Sequence, residues 1–302
     1  MSFELLILGC SSATPAHQRN PAAQILTFND KSYLIDCGEA TQMQMQRYKV
    51  KAHRIDHIFI SHLHGDHYLG LMGLLSSMHL QGRDRELVLY CQQELQEILE
   101  LQFQVSATQL RFPIRYHFFS STRDLLFEDD AVTIEAFDLN HRVPCKGFLF
   151  KEKPRPRNLQ IDKVMAAGIP VDFYAELKAG RDYVDTQGNR ITNETLTIDP
   201  SAAKSYAYCS DTKYHEELAS VVEGVDLLYH EATFMHDLLD RANETYHTTA
   251  LQAGQLAAKA KVKKLIIGHF SARYKDLNPL LSEARSAFEH ADLAEEGLVF
   301  RF

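Results

Sequence analysis

The sequence predicts a layered α/β protein in which helices cover the faces of sheets. Three observations carry that reading. Short apolar or β-branched runs alternate with amphipathic segments through the first half, and the second half repeats the style. The 302 residues are enough to bury a substantial core. No stretch approaches the roughly 20 apolar residues that cross a bilayer, so a membrane partner is not expected. At 45% hydrophobic and 24% charged, the composition belongs to an ordinary globular chain rather than a disordered one.

Each element has a local reason. Residues 5–8, 25–28, 33–35, 57–60, 87–90, 114–119, 132–137 and 147–150 are apolar runs of strand length. Residues 41–48, 69–81 and 94–101 carry apolar positions at helical spacing. Further on, 206–209, 227–229 and 265–267 read as strands, and 215–222, 248–260 and 279–290 as helices. Strand followed by helix throughout is the pattern of helices laid on sheet faces. The first eight residues lack a basic lead and a small-residue cleavage site, and read as a first strand and not as a signal peptide.

The segment from about 151 to 204 breaks the rhythm. It holds Pro154, Pro156, Gly168, Pro170, Gly180 and Gly188, with basic and aromatic residues between them. Long irregular insertions in compact domains are usually functional or disordered. This one reads as a flexible arm inserted into a single domain spanning residues 1–302.

Five cysteines, an odd number with no CxxC pair, argue against a disulfide framework and a zinc ribbon. Buried free thiols in a reducing cytoplasm are the simpler reading. A net charge of −8 weighs against a nucleic-acid partner. The charge is uneven, however. From Arg142 to Lys163 there are seven Lys or Arg against two acids, and from Arg47 to Arg54 four with none. Either run is a solvated face or a surface that tracks phosphates.

The chemistry concentrates in His62-Leu63-His64-Gly65-Asp66-His67. The run follows an apolar strand and precedes an apolar helical pattern, so it sits on a loop at the C-terminal end of a strand. Open α/β sheets place their sites there. His62 and His64 alternate in extended backbone and can point the same way. Gly65 permits a tight bend that turns Asp66 and His67 towards a second point. Imidazole and carboxylate are donors that zinc prefers, so the run predicts a metal-dependent hydrolase. A chance cluster of loop histidines is the alternative.

The run resembles the signature of the metallo-β-lactamase fold superfamily. That resemblance implies a four-layer αββα sandwich and further ligands at later strand ends. His141, Asp211 and His269 fill those places. By the resemblance, His62, His64 and His141 hold one Zn2+, and Asp66, His67 and His269 hold the other. Asp211 bridges, giving two Zn2+ per subunit.

The superfamily hydrolyses many substrates, so fold does not settle function. Six motifs narrow it. They are Asp36-Cys37-Gly38-Glu39-Ala40-Thr41-Gln42, the histidine run with Tyr68-Leu69-Gly70-Leu71, and Tyr208-Cys209-Ser210-Asp211-Thr212. His230-Glu231-Ala232-Thr233-Phe234, His247-Thr248-Thr249-Ala250 and Gly268-His269-Phe270-Ser271-Ala272-Arg273-Tyr274 complete them. In this order, over residues 5 to about 275, they resemble the short form of the ribonuclease Z family, which trims tRNA precursors at the 3′ end. Ala40 stands where glycine is expected, so the turn after Glu39 must accept a Cβ.

The resemblance implies a precursor-tRNA substrate and a phosphodiester cut. Asp66 would accept a proton from the attacking water. His247, backed by Glu231, would protonate the departing 3′ oxygen. It also implies a homodimer in which one subunit's arm serves the other's site. Lys151, Lys153, Arg155, Arg157 and Lys163 are the arm's candidate phosphate contacts. His230 is either part of the site or a structural histidine at a strand end. The rival functions are an ester, thioester or lactone hydrolase on the same ligands, and a binding module that keeps the fold without catalysis.

Overall fold

The apolar runs pair into two seven-stranded sheets among the described residues of a computed structural model, which are residues 3–302. Met1 and Ser2, part of the stretch read as a first strand, lie outside them; the strand itself is Glu4–Gly9. The first sheet runs Val299–Arg301, Glu4–Gly9, Ala23–Phe28, Lys31–Cys37, Ile55–Phe59, Leu87–Cys91, Ile114–Phe118. The second runs Ala291–Leu293, Leu265–Gly268, Leu227–Glu231, Ser205–Cys209, Cys145–Glu152, Val132–Leu139, Arg123–Glu128.

The sheets face each other across an aromatic layer. Tyr33 and Phe59 of the first sheet meet Phe148 and Phe150 of the second, with ring centroids 5.4–5.7 Å apart. Rings at this spacing, tilted or edge-on, gain beyond the area they bury. On the outer face of the first sheet, Ile25, Leu34, Ile58 and Leu89 pack with Met45, Leu71, Leu75, Met78 and Leu95 from three helices. Those helices are Thr41–Arg47, Leu71–Leu80 and Glu94–Val105. Helix Ala250–Lys259 lies on the second sheet and packs against Asn278–Ala287. The order helix, sheet, sheet, helix is the αββα sandwich that the sequence implied.

The differences from the sequence reading are local. The expected helix at 69–81 is Leu71–Leu80, preceded by a separate short helix Gly65–Tyr68, and the one at 215–222 shrinks to Leu218–Val221. Arg123–Glu128, Ala291–Leu293, Val299–Arg301 and helix Leu239–Thr245 were not anticipated. The three strands lie at or next to sheet edges, where backbone pairing holds a strand without a clear apolar pattern. The helix sequence, Leu-Asp-Arg-Ala-Asn-Glu-Thr, is mostly polar.

Asp129–Val132 and Glu152–Ala203 form a second compact unit. It contains two ribbons, Asn158–Leu159 with Thr197–Ile198 and Tyr183–Val184 with Arg190–Ile191. Val164, Ile169, Leu177 and Leu196 make its own small core. The buried Asn193 amide donates to the carbonyls of Leu177 (2.7 Å) and Arg181 (3.0 Å). The segment is therefore ordered, through elements of two to six residues that are too short to show periodicity.

Two glycines of the sequence motifs have a packing reason. The Gly70 amide donates to the Cys37 carbonyl at 2.9 Å, and a Cβ on Gly70 would drive into the Gly38 carbonyl. A Cβ on Gly38 would meet the Asp66 carbonyl. Ala40 takes the left-handed geometry that its turn requires, at φ 67°. Gly70→Ala should therefore lose about 1–3 kcal/mol of stability, because backbone and not a flexible side chain blocks the new methyl. Gly73→Ala, in the same helix and facing only the end of Gln42, should be neutral or slightly stabilising. Denaturant unfolding of the two variants beside the wild type checks both.

Candidate metal centre and active site

The loops that carry chemistry leave the sheets at one end. In the second sheet, Ser205–Cys209, Leu227–Glu231 and Leu265–Gly268 are parallel, with Cys209 beside His230 and Glu231 beside Gly268. Asp211, Glu231 and His269 therefore leave neighbouring strand ends. His141 follows Val132–Leu139 in the same sheet by two residues. In the first sheet, Ile55–Phe59 runs into the histidine run. The bend expected at Gly65 is present. Gly65 opens the short helix Gly65–Tyr68, and the helical turn swings Asp66 and His67 away from His62 and His64.

The seven residues named from the sequence as ligands converge in two groups. His62, His64, His141 and Asp211 form one; Asp66, His67 and His269 form the other. In the first, His62 Nε2 and His141 Nε2 lie 3.0 and 3.2 Å from His64 Nδ1. Asp211 Oδ2 is 3.6 Å from His62 Nε2 and 3.8 Å from His141 Nε2. In the second, His67 Nε2 and His269 Nε2 are 3.3 Å apart, with Asp66 Oδ2 at 3.4 and 3.3 Å from them. Asp211 Oδ1 lies 3.4 Å from His67 Nε2 and 3.1 Å from His269 Nε2. The two oxygens of Asp211 thus face different groups.

These spacings can be compared with what a cation needs. Ligands about 2.0–2.1 Å from a tetrahedral zinc stand roughly 3.3–3.4 Å from each other. The donor separations fall around that edge length. Asp211 Oδ1 is buried and makes no hydrogen bond of proper geometry. A buried carboxylate oxygen without a donor is costly unless a cation satisfies it. Converging acceptors and an orphaned oxygen fit a metal, and each group could hold one.

The outer nitrogen of four of these rings is already occupied. His67 Nδ1 donates to Asp36 Oδ2 at 2.8 Å. His141 Nδ1 donates to the Tyr246 carbonyl at 3.0 Å. Thr233 Oγ1 donates to Glu231 Oε2 (2.7 Å) and accepts from His269 Nδ1 (2.9 Å). His62 Nδ1 lies 3.1 Å from Ser61 Oγ. Such contacts fix these four tautomers and leave Nε2 as the acceptor, whereas His64 turns Nδ1 towards its group. Ala13 N donates to Asp66 Oδ2 at 2.7 Å. Asp36, Thr233, the Tyr246 carbonyl and the Ala13 amide were not singled out by the sequence reading. Asp36 and Thr233 lie inside the quoted motifs, and that was their one signal. Backbone groups leave none.

His247 and Glu231 meet beside the second group. His247 Nδ1 donates to Glu231 Oε1 at 2.8 Å. Burial disfavours the charged imidazole, but the Glu231 carboxylate outweighs it and raises the His247 pKa to about 9. Glu231 is fully buried, which pushes its pKa up, yet His247 and its hydrogen bond bring it below the usual range. Glu231 also accepts from the amides of Thr212 (3.1 Å) and Thr233 (3.0 Å). His247 can also join Asp211 and His269 in a third potential ligand group. His230 stands apart: buried, its pKa lowered by burial, with Nδ1 donating to the Glu231 carbonyl at 2.7 Å. It reads as a structural histidine.

A cavity of about 500 Å³ opens over these groups. His64, Asp66, His141, Asp211, His247 and His269 line its floor, and Arg142, Arg241 and Arg273 also border it. The arrangement can hold cations, accept an anion and present an imidazolium to it.

Comparison with known proteins places this site in a family. Residues 3–144 match a family model described as anti-Pycsar protein Apyc1. A ribonuclease Z of Parabacteroides distasonis is 44% identical over 297 residues, 98% of each chain. The crystal structure of human tRNase Z, short form, superposes with a TM-score of 0.71 at 26% identity, covering 98% of each chain. The metallo-β-lactamase fold protein YhfI of Bacillus subtilis gives 0.71 at 20% identity over the whole of both chains, a likeness of fold. With a curated relative this similar along nearly its full length, the chain belongs to the ribonuclease Z family.

Proposed function

We propose that this protein is a metal-dependent endoribonuclease that removes the 3′ trailer from tRNA precursors. The cut leaves a 3′-hydroxyl on the tRNA and a 5′-phosphate on the trailer. One observation carries the reading beyond the family name: two His/Asp groups share Asp211, with the His247–Glu231 pair beside them. An imidazolium held beside the cation groups is a proton donor for an alkoxide leaving group such as the 3′ oxygen.

In this reading the native metals are two zinc ions per subunit. His62, His64 and His141 would hold one, Asp66, His67 and His269 the other, and Asp211 would serve both. When bound, the ions supply charge neutralisation at the phosphoryl oxygens and a water of lowered pKa. The chain's own residues do the rest. Asp66 accepts a proton as water attacks phosphorus. The P–O3′ bond breaks, and the departing 3′ oxygen takes a proton from His247 Nε2, since Nδ1 is held by Glu231. Glu231 keeps that imidazole charged before the cut.

The inserted segment of about 151–204 serves as the tRNA-binding arm of an otherwise single domain. Its cations are partly neutralised: Arg155 pairs with Glu152 and Arg157 with Asp199. Nearby, Lys151 pairs with Glu135 at 3.3 Å. The Arg157 and Lys151 pairs are partly exposed and cost little to exchange for phosphates, whereas Glu152 is buried and keeps Arg155. The enzyme acts as a homodimer. An exposed apolar strip on helix Glu94–Val105, with Ile98, Leu101 and Val105 beside Leu69, supports an association surface. Five buried free thiols agree with a reducing cytoplasm.

Four outcomes are expected. An end-labelled tRNA precursor should be cut once, next to the discriminator base, by the zinc-loaded protein and not by Asp66→Ala. Absence of that cut by folded, loaded wild type would move the assignment to small ester substrates. His247→Ala should retain metal, measured by elemental analysis, and lose about 10²–10⁴-fold in kcat. The acid form of His247 is the active one, so kcat should fall as pH rises through its pKa; Glu231→Gln should move that alkaline limb to lower pH. Finally, deleting residues 155–195 should abolish precursor cleavage and spare hydrolysis of a small phosphodiester. Equal loss of both would make the arm a folding element.

A further inference from the structure

Tyr246 stands out among the residues around the site. It ends helix Leu239–Thr245 in the left-handed conformation, φ 58° and ψ 47°. For a bulky residue this is costly and persists only where the surroundings demand it. Its carbonyl is used: it accepts from His141 Nδ1. That explains the backbone, and glycine or asparagine would serve it more cheaply. It does not explain the side chain: Tyr246, one residue before His247, is 37% exposed.

The ring has cationic company. Lys213 Nζ lies 6.0 Å from its centroid. Lys213 N donates to the Asn140 carbonyl at 2.8 Å, which ties this segment to the one carrying His141 and Arg142. Arg142 borders the cavity. Neither Lys213 nor Arg142 has a carboxylate within ion-pair distance among the described residues, whereas most other cations discussed here do. A part-exposed aromatic ring beside the unneutralised Lys213, flanked in the chain by the cavity-lining Thr245 and His247 and with Arg142 bordering the same cavity, has the chemistry that holds single-stranded nucleic acid. A base stacks on the ring and the backbone lies on the cations.

Resting on the endoribonuclease reading, we propose that Tyr246, with Lys213 and Arg142, is the platform that stacks one unpaired base of the 3′ segment beside the scissile phosphate. The ring grips the strand, while the same residue's carbonyl orients His141. Substrate holding and ligand orientation are thus joined in one left-handed residue.

The chain has no tryptophan, so Tyr246→Trp introduces a single fluorescent reporter at the platform. On mixing with a trailer-bearing tRNA precursor, the zinc-loaded variant should cut it and show quenched emission before turnover. Tyr246→Leu should raise KM on the order of tenfold and change kcat less than twofold, and Tyr246→Phe should keep the wild-type KM. Lys213→Gln should raise KM a few-fold and flatten its salt dependence. An unquenched emission with an unchanged KM in Tyr246→Leu overturns the proposal. So does a fall in kcat at constant KM, which would make the ring a prop for His141 and His247. If wild type fails to cut the precursor, the endoribonuclease reading itself is overturned, a result distinct from either.

Discussion

The buried carboxylate of Asp36 ties the two sheets and the site together. It lies at 0% exposure at the end of Lys31–Cys37. Ser61 N and Ser61 Oγ donate to it at 2.7 and 2.9 Å, from the chain just before His62. Tyr208 OH donates at 2.7 Å from the opposite sheet, and His67 Nδ1 at 2.8 Å. A buried carboxylate is tolerated only when donors replace its water. Here those donors are the elements that must be aligned for two metal groups to form. Losing the carboxylate would leave several buried donors unsatisfied at about 1–3 kcal/mol each. It would also free the His67 ring and loosen one sheet from the other.

Around that centre the backbone is held in costly geometry. Ala13, Asp36, Tyr246 and His269 all sit at φ between 53° and 59° without being glycine. Each supplies something to the site: an amide to Asp66, a carboxylate to His67, a carbonyl to His141, or a ligand nitrogen. Strain of this kind costs on the order of 1–3 kcal/mol per residue. The sheets and their aromatic layer offset it through burial. The division of labour is therefore physical: two rigid sheets supply stability, and the loops at their ends use some of it to aim donors.

Charge is handled in the same local way. A chain of net charge −8 is a poor polyanion binder on average. Ion pairs make this sharper, because several cations of the basic run are engaged. Lys146 is buried and meets Asp138 at 2.6 Å, so it belongs to the fold and not to a phosphate surface. What remains is a small number of unpaired cations near the cavity. Affinity for a polyanion then depends on a few placed charges rather than on overall potential.

The histidine run, the strand ends carrying His141, Asp211 and His269, and the alternation of strands with helices were all legible in the chain. Local pattern decides them: apolar strands must be buried, and donors that follow them must emerge at a sheet end. Ala40 was legible in the same way, as a turn that must accept a Cβ. The tertiary structure alone decided the rest. The bend at Gly65 takes the form of a short helix, with the Asp66 carbonyl close over Gly38. Asp36 and Thr233 are partners of imidazoles contributed from far along the chain, and no local pattern reports a long-range hydrogen bond. The edge strands and the small elements of residues 152–203 are too short to carry a period. Which cations are neutralised depends on carboxylates tens of residues away, such as Asp199 for Arg157. Sequence pattern determines what a segment can be; pairing between distant segments determines what each side chain is free to do.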